Sequence, residues 1–546
     1  MIDIPLKENL LEYLQTEKEL IEDSKEAQAS LSYEEKIEQG LLAEVILVER
    51  DLKESDKYIL FLTENFTKWR IGDKVIIFNN IMSWETEAVI VENLMDRLLV
   101  KSKNAIGGNS PLLVRLEEAL FSDTLIKILE NVNNSSDESY FLKSISGQNE
   151  IEYSPLGGIG PYSEILDEEK INARDKILRR PYLFALQGPP GTGKTKILAN
   201  VALSYVLEGK NVLITALTHQ AVNNALNSIS KCEQSRLIPL IKIGEKLKGI
   251  TLSENIKQWT NLIPYDPRYK SKTFNKVGSI IGMTVHSAII NFGLCNSKFL
   301  PSVVLIDEAS QIPLSIGSLL GITGAGSFVF FGDDRQLPPI FQSKLISSPY
   351  STSIFEFLKS KLKDDFKTSL LTTYRMNQVI CKYVSKNFYE PEGISLKSFS
   401  EISKRKIKEE RIEDSIEIIS INSSGCKDYN EEEGKKACDF AHRYKSQGYS
   451  VAIVTPFRKQ VNLIRKITNE NIAGSSTILI DTVERLQGQE VDVIIFSTSV
   501  SCSDYYLTVK HFIEDKKRLN VIFSRAKRKV VIIKSPLIKV PNICDC

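Results

Sequence analysis

The sequence predicts an α/β protein made of two parallel-sheet domains in tandem, with a small β-barrel and helical insertions near the N-terminus. Short runs that are apolar on both faces alternate with helical patterns in two blocks, one after residue 166 and one from about residue 370. Such runs suit parallel strands covered by helices on both sides. A group of short strands without helices between them fills residues 41–105, which suits a small barrel. The length of 546 residues exceeds what one hydrophobic core holds and allows roughly three or four domains.

Residues 1–40 read as helix, because Leu6, Leu10, Leu11, Leu14 and Ile21 recur at helical spacing between charged residues. Barrel strands are expected at 41–48, 58–62, 74–78, 87–91 and 97–100, with a turn at Arg70-Ile71-Gly72-Asp73. Residues 106–165 are expected to hold a helix over 111–130 and then a connecting segment rich in Asn, Ser, Gly and Pro. The first parallel-sheet domain is placed at 166–345, with strands at 182–186, 211–217, 279–285, 303–306 and 328–331 and a helical insertion at about 231–275. The second is placed at 346–546, with strands at 416–421, 451–455, 477–480, 493–497 and 530–533.

Composition narrows the function classes. Apolar residues make up 42% and charged residues 25%, as in ordinary globular domains. The net charge of +1 neither requires nor excludes nucleic acid, which needs only a basic track on one face. The run Lys516, Lys517, Arg518, Arg525, Lys527, Arg528 and Lys529 is the local candidate, and a solvated face is its plainer reading. Eight cysteines are scattered with no C-x-x-C pair, and only four histidines accompany them, so neither a zinc module nor a disulfide framework is expected. The terminal Cys544-Asp545-Cys546 reads as a frayed tail. Residues 1–20 are acidic and helical in pattern, unlike a secretory signal. No apolar run reaches membrane-spanning length. A cytoplasmic protein without membrane contact, compatible with a monomer, is expected.

The chemistry concentrates at Gly188-Pro189-Pro190-Gly191-Thr192-Gly193-Lys194-Thr195, which matches G-x-x-x-x-G-K-[ST] between a strand and a helix. Glycines let the loop wrap so that backbone N–H groups point at phosphate oxygens, and the helix N-terminus adds its partial positive charge. Lys194 is expected on the β- and γ-phosphates and Thr195 on Mg²⁺. The apolar strand 303–306 ends in Asp307 and Glu308. Asp307 is placed to hold the metal, and Glu308 to orient and deprotonate the attacking water. ATP and Mg²⁺ are therefore the expected cofactors.

Further stretches, in order, resemble the motifs of superfamily 1 helicases, in particular the up-frameshift-like branch. The resemblance covers about residues 165–535. It rests on the phosphate loop, Thr218-His219-Gln220-Ala221-Val222-Asn223, Gly282-Met283-Thr284, Asp307-Glu308-Ala309-Ser310-Gln311 and Gly332-Asp333-Asp334-Arg335-Gln336-Leu337-Pro338-Pro339. In the second block it rests on Thr373-Tyr374-Arg375-Met376, Thr455-Pro456-Phe457, Asp481-Thr482 through Gln487-Gly488-Gln489-Glu490, and Arg518-Leu519-Asn520 through Ser524-Arg525-Ala526.

The resemblance implies two RecA-like motor domains that bind and hydrolyse ATP while holding single-stranded DNA or RNA. It implies that Gln336 senses the γ-phosphate, Tyr374 stacks on adenine, Arg375 reaches the phosphates, Arg525 is the arginine finger, and Gly488 and Glu490 border the nucleotide. It places Thr218, Asn223, Thr284, Thr455, Pro456 and Thr482 on the strand. Phe457 suits either a stacking or a core position. The implied activity is a helicase or translocase of 5′→3′ polarity. The alternatives are a protein-displacing translocase that unwinds weakly and an ATP-gated nucleic-acid-binding switch. One position departs from the family: Leu166-Asp167-Glu168-Glu169-Lys170 carries lysine where a glutamine reads adenine. Lysine has donors but no acceptor, so other NTPs are expected to compete.

Overall fold

A computed structural model describes residues 5–541 apart from 52–53, 55, 64, 68, 70–72, 80–83, 94–96, 107–111, 117–121, 133–136, 154–165, 245–250, 260–277, 294–298, 342–347, 472–477 and 487. The expected turn at Arg70-Ile71-Gly72, and with it Gln487, Cys544 and Cys546, lies outside the described residues.

The helix Pro5–Ala29 buries one stripe, Leu6, Leu10, Tyr13 and Leu14. That stripe packs against the helices Ser122–Glu130 and Asp137–Ile145, in one core with Leu183 and Phe328 of the first parallel sheet. A short helix, Tyr33–Glu38, then opens with a capping box formed by Ser32 and Glu35.

The barrel closes with six strands, one more than expected. The sixth, Leu112–Leu116, falls where helix was expected and pairs antiparallel with both Leu42–Arg50 and Lys74–Asn79. Its five residues are too few to display a period; what decides is that two open edges each gain a row of backbone hydrogen bonds. Helix resumes at Ser122–Glu130. Inside the barrel, alternate residues Tyr58, Leu60 and Leu62 meet Val75, Ile77, Ile90, Leu98 and Val100. The expected connecting segment also contains the helix Asp137–Ile145, whose Phe141, Leu142 and Ile145 join the first sheet's core.

The first lobe is an eight-stranded parallel sheet ordered Lys257–Trp259, Leu240–Ile243, Ile280–Thr284, Val212–Ala216, Val303–Ile306, Phe328–Gly332, Leu183–Gln187 and Lys367–Ser369. Within one strand, Leu183 and Ala185 enter the core on one face while Phe184 and Leu186 enter the core on the other. This double burial is why these strands read as unbroken apolar runs. Two expectations change here. The described part of 231–275 is not a helical insertion: Leu240–Ile243 and Lys257–Trp259 widen the sheet after a short 3-10 turn. The lobe also runs past residue 345. Ile354, Phe355 and Leu358 sit in its core, and Lys367–Ser369 pairs with Leu183–Gln187, so the lobe ends near residue 370. Lys-Thr-Ser has no apolar signature, so nothing local marks it as a strand.

The second lobe is a five-stranded parallel sheet ordered Ile416–Ser420, Ala526–Lys534, Val491–Ser497, Val451–Thr455 and Leu479–Thr482. Its strands likewise split between two cores, with Ala452 and Val454 on one side and Val451 and Ile453 on the other.

The barrel is tied to this second lobe. Arg458 Nη2 donates to the Thr67 carbonyl at 2.9 Å, Arg485 Nη2 to the Trp69 carbonyl at 3.2 Å and Asn462 Nδ2 to the Asn65 carbonyl at 3.5 Å. Arg458, Arg465 and Arg485 converge on Asp481 at 3.0, 3.5 and 3.8 Å. Burial, with the Arg485 charge beside it, pushes the Arg458 guanidinium down to about 10. Among the described residues, no helix is long and apolar enough to cross a membrane.

Candidate nucleotide site between the lobes

Phe328–Gly332 lies between Leu183–Gln187 and Val303–Ile306, so the carboxyl ends of all three strands open on one crevice. The phosphate loop leaves the first of these strands. Gly191 and Gly193 have φ of +73° and +90°, a region where glycine alone is unstrained. A Cβ on Gly191 would also lie 2.5 Å from Arg375 Cβ. The Thr192 hydroxyl donates to the Pro189 carbonyl at 2.7 Å and holds the loop closed. Lys194 folds its ammonium onto the Gly188 carbonyl, and the part of the loop that lines the cavity begins at Pro189.

Asp307 is buried at the end of its strand, and its Oδ1 accepts the Glu308 N–H at 2.9 Å. Burial raises the Asp307 carboxyl, the Glu308 charge adds to this, and Lys194 opposes it. Glu308 has φ of +51°, a conformation that costs about 1–3 kcal/mol and is often kept where a side chain must face a site. Gln311 donates to its carboxylate. Asp307 and Thr195 share the cavity wall. No group of three or more His, Cys, Asp or Glu that could hold a metal occurs among the described residues. One carboxylate and one hydroxyl fit Mg²⁺, which takes few protein oxygens and completes its shell with phosphates and water.

The chain crosses to the second lobe directly beside the loop. Leu370 N donates to the Gln187 carbonyl at 2.9 Å, Thr373 Oγ1 to that of Pro190 at 2.8 Å and Tyr374 N to that of Gly191 at 2.8 Å. Arg375 follows, bonded through Nε to Glu490 at 2.9 Å and through Nη1 to the Ser524 carbonyl at 3.0 Å. Arg525 caps the helix Lys516–Ser524; its Nη2 lies 3.5 Å from Gln336 Oε1 and its Nη1 3.4 Å from the Gln489 carbonyl. Burial, reinforced by Arg375, pushes the Arg525 guanidinium down to about 10.

One cavity of about 620 Å³ gathers these groups. Its wall includes Pro189, Pro190, Gly191, Thr192, Gly193, Lys194, Thr195, Asp307, Glu308 and Gln336 from the first lobe, and Tyr374, Arg375, Gly488, Glu490 and Arg525 from the second. Sequence reading assigned no site role to Asp167, Asp333 or Phe399, which also line it. At the end near Leu166, Asp167 caps the helix Glu168–Leu178 and receives both the Lys170 ammonium and the Tyr374 hydroxyl. The ammonium stands 4.0 Å from the centroid of the Tyr374 ring, and Phe399 lies 4.7 Å from it at 33°. A base stacking on Tyr374 must displace one of these neighbours.

The expected strand contacts divide. Thr218 and Thr284 accept hydrogen bonds at the starts of the helices that follow them. Thr482 is buried but ends its strand beside Thr455, and Pro456 is partly exposed. Asn223 and Thr455 are corrected: Asn223 is buried with its amide on Thr251 at 3.1 Å, and Thr455 is fully buried on Ser499 at 3.1 Å. Neither side chain is open to a strand. Phe457 packs with Tyr505 and Phe512 in a small core. The basic run is also no track, since Lys517, Arg518, Lys527, Arg528 and Lys529 pair with Glu356, Glu484, Glu490, Asp492 and Glu410.

Two RecA-like sheets sharing a phosphate loop, an acidic strand end and facing arginines define a two-lobed P-loop nucleoside-triphosphatase. Family models described as "AAA domain" match residues 172–342 and 350–536. Both matches fall on the stretches whose motifs resemble those of superfamily 1 helicases of the up-frameshift-like branch. It is 29% identical over 68% of its length to the DNA replication ATP-dependent helicase/nuclease dna2 of Schizosaccharomyces pombe, and covers 28% of that protein. It is 25% identical over 93% of its length to the Saccharomyces cerevisiae protein of that description, covering 34% of it. It is 26% identical over 70% of its length to the S. pombe DNA polymerase alpha-associated DNA helicase A, covering 65% of it. The chain thus spans about a third of the first two relatives and just under two thirds of the third. Among solved structures, the arterivirus nonstructural protein 10 helicase aligns with 90% of this chain and 78% of its own at 12% identity, with a TM-score of 0.43.

Proposed function

We propose that the protein is an ATP-driven motor that moves 5′→3′ along single-stranded nucleic acid and separates duplex ahead of it. The observation that carries this reading is the shared cavity, with the phosphate loop and acids on one lobe and Arg375 and Arg525 on the other. The names of the relatives, DNA helicases, favour DNA as the strand. Thr195 and Asp307 would hold Mg²⁺, which would supply positive charge against the negative charge that develops in the reaction. Lys194 would leave the Gly188 carbonyl for a phosphate oxygen, Glu308 would take a proton from the attacking water, and Arg525 would meet the charge on the γ-phosphate.

Because the nucleotide would sit where the chain crosses between lobes, binding would close the cleft and release would open it. The strand would lie across the carboxyl ends of both sheets. There Thr284 and Thr482 end their strands and Thr218 and Pro456 lie just beyond theirs, positions suited to phosphate contacts. The test compares ATPase rates with single-stranded DNA, single-stranded RNA, duplex and no polymer, beside unwinding of tailed duplexes. Strand-stimulated turnover lost in Lys194→Ala and Glu308→Gln, with strand binding retained, is expected. Turnover indifferent to polymer at low salt would favour a nucleotide-gated switch instead.

A further inference from the structure

The cleft is crossed by a second hydrogen-bonded route, which reaches Arg525 through Tyr389, Asp333 and Gln336. It starts at Asn520, on the helix that ends in Arg525. Asn520 Nδ2 donates to the Arg335 carbonyl at 2.8 Å and to Tyr389 Oη at 2.9 Å. A carbonyl can only accept, so the amide orientation is settled by its partner rather than by convention. With Tyr389 Oη accepting from that amide, its own hydrogen goes to Asp333 Oδ2 at 2.6 Å, the length of a charge-assisted bond. Asp333 Oδ2 also accepts Gln336 Nε2 at 2.6 Å. That leaves Gln336 Oε1 turned to Arg525 Nη2 at 3.5 Å. The donor directions are therefore consistent around a circuit that starts at Asn520, leaves the second lobe at Tyr389 and returns to it at Arg525.

Tyr389 and Asn520 are fully buried, and Asp333 and Gln336 are nearly so, so water does not readily replace a missing partner. Tyr389 belongs to the second lobe, in one core with Tyr383 and Phe523. Its hydroxyl is the point at which that lobe grips the carboxylate that orients Gln336.

We propose that Tyr389 is a positioning residue: through Asp333 it aims the Gln336 amide at Arg525, so that lobe closure is felt at the γ-phosphate end of the cavity. This rests on the motor reading above. Without the hydroxyl, Asp333 Oδ2 keeps only Gln336, and the second lobe loses its hold on that carboxylate. The ring of Tyr389→Phe still fills the core, so the fold is retained.

The experiment measures kcat and KM for ATP, with and without single-stranded DNA, in wild type, Tyr389→Phe, Asn520→Ser and the double variant, beside thermal melts. Tyr389→Phe is expected to lower strand-stimulated kcat about tenfold or more and leave KM within about twofold. The double variant is expected to be no slower than the slower single variant, because both cut one circuit. A Tyr389→Phe kcat within threefold of wild type overturns the proposal, as do losses that multiply in the double variant. A fall in melting temperature with unchanged kcat also overturns it and leaves Tyr389 a packing residue. If wild type itself gains nothing from the strand, it is the motor reading that fails.

Discussion

Replacing Arg525 with alanine tests the cleft most directly. Arg525 is 5% exposed, its Nε has no hydrogen-bond partner among the described residues, and its bonds to Gln336 and Gln489 are long, at 3.5 and 3.4 Å. Its pKa of about 10 reflects burial and then the Arg375 charge. A displacement of that size disfavours the charged form by about 3 kcal/mol. The ligand-free protein carries this cost, and it is offset when the γ-phosphate brings negative charge. An interaction that strengthens towards the transition state acts on kcat. Arg525→Ala should therefore lower kcat about 10³-fold or more, roughly 4 kcal/mol, while KM for ATP changes only a few-fold. Stability of the ligand-free protein should move little, since relief of the buried charge and the cavity left behind oppose each other at about 2–3 kcal/mol each. Steady-state ATPase at saturating single-stranded DNA, with thermal melts alongside, reads all three quantities. A kcat reduced less than tenfold, or a loss confined to KM, would refute the reasoning.

Lys170→Gln should raise the ratio of kcat/KM for ATP over GTP about tenfold, because an amide offers adenine a donor and an acceptor where the ammonium offers donors alone; an unchanged ratio would remove Lys170 from base recognition. Glu433 is buried and accepts from Ser497 Oγ at 2.9 Å and Ser499 N at 2.8 Å. Burial nevertheless raises its carboxyl to about 7. The folded value lies above the unfolded one, so the native state holds the proton more tightly. Its contribution is complete below about pH 4 and is lost as pH rises through 7. Melts of wild type and Glu433→Gln should converge towards low pH and separate between pH 5 and 7.5, by on the order of 3 kcal/mol in favour of the variant. Curves that stay parallel across that range would show that Glu433 does not titrate there.

The sequence was most legible where physics acts locally. Strands buried on both faces, such as Val303–Ile306 and Val451–Thr455, needed only apolar composition and length. The phosphate loop and Asp307-Glu308 carried their chemistry in adjacent residues, and resemblance supplied Gln336, Arg375 and Arg525, all of which reach the cavity. Elements whose stability comes from partners distant in sequence were less legible. Leu112–Leu116 is a strand because two barrel edges are open to it, and Lys367–Ser369 because Leu183–Gln187 is. Tyr389 carried no local signal either, since its partner Asp333 is 56 residues away in sequence. Thr455 illustrates the opposite error: a residue type suited to phosphate contact was assigned to the strand, and the fold uses its hydroxyl inside.

The joint between barrel and second lobe has a consequence for how such a protein tolerates change. On the barrel side, the bonds described are accepted by the peptide oxygens of Asn65, Thr67 and Trp69. A peptide oxygen is present whatever side chain accompanies it, so the joint does not read those side chains, which instead shape the barrel: Trp69 lies in its core and Asn65 Oδ1 accepts from Thr67 N at 3.1 Å. Arg458 and Arg485 are held to their identities by the joint itself, because lysine lacks the planar fork that grips a carbonyl and Asp481 together. A foreign barrel grafted onto this lobe would need a loop of matching path, held in place by whatever side chains its own interior requires.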